Sequence, residues 1–252
     1  MDNKYIDKID GQAWFFKHFL QKCLSEEMVD LLNVISLKTE VYVFSGMIRN
    51  FFLGESCFRD LDIVVGDVDC VLETIWAIDD NVGVAFNNFG GLKLKIQNLT
   101  IDLWKLDKTW GIKKEGMELS PYSLIKTAFF NFSAIVFDYN NECFYYENAF
   151  VEFLETRMMH VVYERNPNIP LCIVNSYYYR ETYGFGLSLK LCFWIFLNYK
   201  SLVRDDKNES NFNSVQIKHF HRIIVSYDKL KEFVLMCYRH CLIGMPIAPK
   251  FQ

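Results

Sequence analysis

No Cys-x-x-Cys pair occurs among the eight cysteines of this chain, and no secretory leader is apparent, so the thiols read as reduced residues of a cytosolic protein. Cys237, His240 and Cys241 cluster on one helical stretch but lack a second ligand pair, which argues against a zinc site. His219 and His221 flank Phe220 and give no catalytic pattern. A long apolar run is missing too. Leu187 to Tyr199, LSLKLCFWIFLNY, is short and interrupted by Lys190, which fits a buried helix better than a membrane span. There is no internal repeat and no low-complexity tract, which excludes solenoid and fibrous designs.

What is present is core material. Of 252 residues, 51% are hydrophobic and 17% aromatic, enough to bury one large or two small domains. The net charge of −4 conceals an asymmetry: residues 1–150 carry 14 Lys+Arg against 22 Asp+Glu, whereas residues 151–252 carry 13 against 9. An acidic first part and a basic second part suggest a division of labour.

The pattern along the chain is α+β. A helical stretch from Gly11 to Ser36 leads into alternating strands and helices, ending in a hairpin of Ala128 to Asp138 and Glu142 to Glu147 around Asn140-Asn141. Ser120-Pro121 starts the helix before that hairpin. After Asn148 the pattern is helical, with helices expected over Val151–Arg165, Leu171–Tyr183, Leu187–Tyr199 and Ser214–Cys241, and a polar loop over residues 204–213. A domain of residues 1–150 followed by a helical region of 151–252 is expected.

The segment Val41 to Val65, VYVFSGMIRNFFLGESCFRDLDIVV, carries the chemistry. Val41 to Phe44 reads as a short buried strand, and Ser45-Gly46 supplies a tight strand-to-helix turn. The helix that follows, Met47 to Leu53, stops at Gly54. Its first turn directs backbone N–H groups above the strand, a candidate phosphate cradle to which Arg49 adds charge. Asp60 and Asp62 then fall on one face of the next strand. Two carboxylates there form a platform for a hard divalent cation such as Mg²⁺, or else a solvated strand end. Asp102 is the sole acid of another strand-like run, Leu99 to Leu106. If that strand lies beside the first, three carboxylates share a face; if it is an edge strand, Asp102 faces solvent.

Taken together, Ser45, Gly46, Arg49, Leu53, Gly54, Asp60 and Asp62 resemble the head of the tRNA nucleotidyltransferase and poly(A) polymerase family, within the DNA polymerase β superfamily. Phe89-Gly90-Gly91-Leu92-Lys93-Leu94 is similar to the family's Phe-Gly-Thr strand turn, and Phe129 to Asp138, FFNFSAIVFD, to a later family strand, so the likeness covers about the first 140 residues. The resemblance implies a polymerase β-type head of mixed sheet and helices. It further implies two Mg²⁺ ions on Asp60 and Asp62, with Asp102 as third carboxylate, and an NTP triphosphate on Ser45, Gly46 and Arg49. The implied activity is transfer of NMP to an acceptor hydroxyl, foremost the 3′ end of an RNA such as tRNA.

Departures bear on the substrate. Asn50 stands where the family carries aspartate, Thr127, Ala128 and Phe129 where it carries Arg-Arg-Asp, and Asn168 to Cys172, NIPLC, where a Glu-Asp-x-x-Arg element reads the base. Those losses leave room for a toxin or phage-defence enzyme that modifies tRNA or a protein hydroxyl, or for an inactive nucleotide- or RNA-binding module. Asn175 to Tyr183, NSYYYRETY, offers rings for base stacking and an arginine for phosphates, or else rings for packing between helices.

Overall fold

Alternation places the apolar residues of the central strands on one side, and two amphipathic helices cover that side. The computed structural model describes residues 9–55, 60–78, 83–86, 90–96, 99–202 and 208–250. Phe89 and residues 204–207, on which expectations above fell, lie outside the described residues. The chain divides into two compact units, Met1–Ala128 with Phe132–Val151, and Phe129–Asn131 with Glu152–Gln252.

The first unit is built on a seven-stranded sheet. In chain order its elements are α1 (Ala13–Cys23), α2 (Glu26–Ser36), β1 (Val41–Phe44), α3 (Gly46–Leu53), β2 (Asp60–Val65), α4 (Val68–Ile78), β3 (Gly83–Phe86), β4 (Leu92–Ile96) and β5 (Leu99–Lys105). A 3₁₀ turn at Leu106–Lys108 leads to α5 (Trp110–Glu115), α6 (Pro121–Thr127), β6 (Ile135–Asp138) and β7 (Cys143–Tyr146). The strand order is β3-β4-β5-β2-β1-β6-β7, antiparallel except for the parallel pair β2–β5. A parallel neighbour requires a crossover, supplied here by α4 and the β3–β4 hairpin. Met28, Leu31, Leu32 and Ile35 of α2 meet Val71 and Ile75 of α4 over Ile63, Val65, Ile101 and Leu103. A second core is aromatic: Phe16 lies 4.9 Å from Phe137 and 5.4 Å from Phe51 and Phe144, and Phe52 lies 5.6 Å from Phe150.

The second unit contains α7 (Asn148–Thr156), which begins in the first, then a parallel pair β8 (Met158–Met159) with β9 (Gly186–Leu187). The helix α8 (Ile169–Tyr183) connects these two strands, and α9 (Leu189–Leu202), α10 (Asn208–Phe220) and α11 (Tyr227–Ile243) come after them, with Phe196 of α9 stacked on Tyr238 of α11 at 4.3 Å.

Four of the element boundaries that differ from the sequence reading have a hydrogen-bonding reason. The Gly11–Ser36 stretch breaks because Ser25 accepts the Met28 N–H and caps α2. The hairpin's first strand starts at Ile135 rather than Ala128, since Phe130 bridges Val161 and buried Asn131 exchanges bonds with His160 and Met158. The same pairing ends α7 at Thr156, short of the expected Arg165. The polar loop expected over residues 204–213 is helical from Asn208, and the long helix expected over Ser214–Cys241 is two helices, because buried Gln216 takes over the backbone at the break. Its Oε1 accepts the N–H groups of Ile224 (3.0 Å) and Val225 (2.9 Å), while its Nε2 donates to Val225 O (3.1 Å). Replacing Gln216 by leucine leaves those buried groups without partners. We expect Gln216→Leu to lower stability by about 2–3 kcal/mol, read as a reduced urea midpoint at unchanged m-value; an unaltered midpoint would refute this role.

Candidate active site

The Ser45-Gly46 turn forms where β1 ends and α3 begins. Ser45 has φ 61° and ψ −96°, a conformation that glycine adopts freely and serine does not. Such a residue stores on the order of 1–3 kcal/mol and persists where its surroundings over-determine it. Here the Ser45 N–H donates to Ile135 O and the Ser45 carbonyl accepts the Arg49 N–H at 3.0 Å. The Ser45 side chain makes no capping bond to the first turn of α3, and among the described residues a methyl group built on Gly46 meets nothing within 4 Å. Among the described residues the turn is therefore open at Gly46. Gly54, at φ 74°, closes the far end as expected, its N–H donating to Asn50 O and Phe51 O.

Arg49 lies in the first turns of α3. It is buried, and its Nε (3.1 Å) and Nη2 (2.8 Å) both donate to Asn50 Oδ1, with the guanidinium 5.4 Å from the Phe132 ring centroid. The charge thus lies within the first turns of α3 rather than extended from it. The asparagine at position 50 thus holds the guanidinium through its amide oxygen.

The carboxylates are brought together by strand register. Parallel pairing sets Asp62 opposite Asp102 and Asp60 opposite Thr100. Adjacent positions in register share a face, so Asp60, Asp62 and Asp102 stand on the side of the sheet away from the Ile63–Ile101–Leu103 core. β5 lies inside the sheet, which removes the edge-strand alternative for Asp102.

Two neighbours were missed by sequence reasoning. Lys93 of β4 is in register with Asp102, its Nζ 3.5 Å from Asp102 Oδ1. Phe44 is in register with Asp62 and packs edge-on against Trp104 at 6.2 Å, whose Nε1 donates to Thr109 Oγ1. The lysine was legible in principle, because LKLKI alternates as DLD does. On the same side, burial and the neighbouring Asp138 and Glu40 push the Tyr42 phenol up to about 12, which keeps it protonated.

The donor set is hard oxygen on one face, the chemistry that suits Mg²⁺. As the side chains stand, no three His, Cys, Asp or Glu residues converge on a metal position among the described residues, and Lys93 already holds Asp102. The residues fit the ion in kind and share one face of the sheet.

Positions where base-reading groups were sought are apolar or internally occupied. Thr127 Oγ1 donates to Leu124 O, and Ala128, Phe129 and Cys172 are buried; burial pushes the Cys172 thiol up. The tyrosines of α8 are half-buried among rings, with Tyr177 5.5 Å from Phe233, Tyr178 5.1 Å from Phe220 and Tyr183 5.4 Å from Phe185. Arg180 Nη1 donates to Phe185 O and Ala248 O, so this arginine braces backbone instead of being presented to phosphate.

No protein-family model matches this chain, and no curated protein sequence does. Solved structures do. A CCA-adding enzyme in complex with CTP aligns with 90% of this chain and 56% of its own at a TM-score of 0.63 and 14% identity. The Thermotoga maritima CCA-adding enzyme complexed with tRNA aligns over 90% and 53%, at 0.62 and 14%. A tRNA nucleotidyltransferase complexed with a primer tRNA and an incoming ATP analog aligns over 84% and 69%, at 0.50 and 17%. The chain has the fold of the CCA-adding enzymes. It spans 56% of the first of them. The α+β class with a mixed sheet and a helical region after it, read from the sequence, is the one observed.

The strained turn gives a direct test. Ser45→Gly should raise stability by about 1 kcal/mol, the strain relieved exceeding the added unfolded-state entropy. Gly46→Ala, with open space at its Cβ, should fold with no loss of stability. Chemical denaturation measures both; a destabilised Ser45→Gly would contradict the strain assignment.

Proposed function

We propose that this chain is a metal-dependent nucleotidyltransferase that moves a nucleoside monophosphate from an NTP to an acceptor hydroxyl and releases pyrophosphate. The observation that carries the reading is the register of β2 and β5, which puts Asp60, Asp62 and Asp102 on one face of the sheet whose β1 feeds the Ser45-Gly46 turn. Structural neighbours described with CTP, ATP and tRNA support an NTP donor and an RNA acceptor, foremost the 3′ hydroxyl of tRNA. In this reading residues 1–150 are the catalytic head, and residues 151–252 hold the acceptor.

Asp60, Asp62 and Asp102 would hold two Mg²⁺ ions, whose chemistry is to neutralise charge at the α-phosphate and on the leaving pyrophosphate. The Asp102 carboxylate accepts the proton of the attacking hydroxyl as its oxygen bonds to the α-phosphorus and the bond to the β-phosphate oxygen breaks. Ser45 and the Gly46 N–H receive the β- and γ-phosphates at the start of α3, where the helix dipole favours negative charge. Arg49 adds positive potential from within the first turns of that helix.

Base selection does not follow the CCA-adding pattern. Ala128, Phe129 and Cys172 are buried and offer no charge to a base edge, so ordered CCA addition is not part of this proposal. That loss favours, as a second reading, a toxin or phage-defence enzyme using the same chemistry on tRNA or on a protein hydroxyl.

The test is incubation with each α-labelled NTP, Mg²⁺, and either total RNA or total protein. We expect label at RNA 3′ ends with wild type, and at least about a 10³-fold loss when Asp60→Asn and Asp62→Asn are combined, since both changes act on transition-state charge. Label in protein instead supports the second reading. Absence of label in either acceptor, with the aspartate variant indistinguishable from wild type, would sink the enzymatic reading and leave a nucleotide- or RNA-binding module.

A further inference from the structure

Lys93, Asp102 and Asp62 form a continuous row across three adjacent strands, β4, β5 and β2, all in direct register. Lys93 Nζ lies 3.5 Å from Asp102 Oδ1, with the lysine side chain 51% exposed and the aspartate side chain 24%. Lys95 repeats the pattern one row along, opposite Thr100, which is itself opposite Asp60. The acidic face therefore carries its own cation at one end. We propose that Lys93 is a resident counter-cation of this face: it holds Asp102 before metal arrives, yields that carboxylate to the metal, and turns to the triphosphate when nucleotide is bound. The proposal rests on the nucleotidyltransferase reading above.

The physical argument has three steps. Three carboxylates on one face repel one another, and a lysine in register with the outermost reduces that repulsion without a bound ion. A divalent cation at Asp102 repels the ammonium and displaces it, so the lysine weakens metal binding when metal is alone. The ammonium sits on a flexible four-carbon stem as a compact charge. Once a triphosphate stands over the face, the same group gains an anionic partner a short rotation away. One residue thus couples metal and phosphate binding, opposing the first by itself and favouring both together. Lys93 is on this account a positioning residue, acting through Asp102 and the phosphates.

The experiment uses the full chain, with Mn²⁺ followed by electron paramagnetic resonance and inorganic tripolyphosphate by calorimetry in the presence of Mn²⁺. Lys93→Gln should bind Mn²⁺ alone about three- to tenfold more tightly than wild type, and bind tripolyphosphate with Mn²⁺ more weakly. Lys93→Arg, which keeps the charge, should retain wild-type Mn²⁺ affinity, and Lys95→Gln should change it by less than about twofold. Unchanged or weaker Mn²⁺ binding by Lys93→Gln, or tightening equal to it in Lys93→Arg or Lys95→Gln, overturns the inference alone. A wild type with no Mn²⁺ binding that Asp62→Asn removes overturns the inference and the nucleotidyltransferase reading together.

Discussion

The site depends on one strand pairing. β2 and β5 lie parallel and in register, and that contact alone carries the acid from the middle of the chain to the two near its start. Parallel neighbours cannot be joined by a tight turn. The intervening helix and hairpin are therefore structural requirements of the site, and the helix earns its place by covering the sheet's apolar side with Val71 and Ile75. A slip of one residue would send Asp102 into that core and Leu103 onto the acidic face, an exchange that burial of an unpaired carboxylate forbids. Packing on one side of the sheet thus enforces the register that the chemistry on the other side needs.

The turn at Ser45 is held by similar means. A serine at positive φ relaxes unless both flanks are fixed. β1 is fixed between β2 and β6, and α3 is fixed by Phe51 and Phe52, which sit in the aromatic cluster with Phe16, Phe144 and Phe150. The abundance of phenylalanine near this helix is thus part of the site's support, though no ring of that cluster belongs to the acidic row.

Legibility followed the range of the interactions involved. Gly54 as a helix stop, Ser120 with Pro121 as a helix start, and the turn between β6 and β7 were readable because each is settled within a few residues. Ser25 and Ser226 as helix caps carried local signals of the same kind that the periodicity reading overran. The two-residue strand at Met158 could not be found in the same way: its reason lies in Asn131, far away in the chain. The same holds for Arg180, whose basic, Tyr-rich surroundings suggested a phosphate contact, while its guanidinium in fact supports the carbonyls of Phe185 and Ala248.

By itself the sequence determined which residue types stand on which face: Asp60 with Asp62, Lys93 with Lys95, and an open glycine after a strand. Side-chain alternation is a property of the single strand, so it can be read without knowing the neighbours. Tertiary structure decided who stands beside whom. It set Asp102 against Asp62, gave Lys93 to Asp102, and buried Phe129 and Cys172 where base-reading charges were sought. Arg49 shows both levels in one residue: its place after the turn was legible, but its engagement with Asn50 and Phe132 follows from burial, which periodicity does not specify.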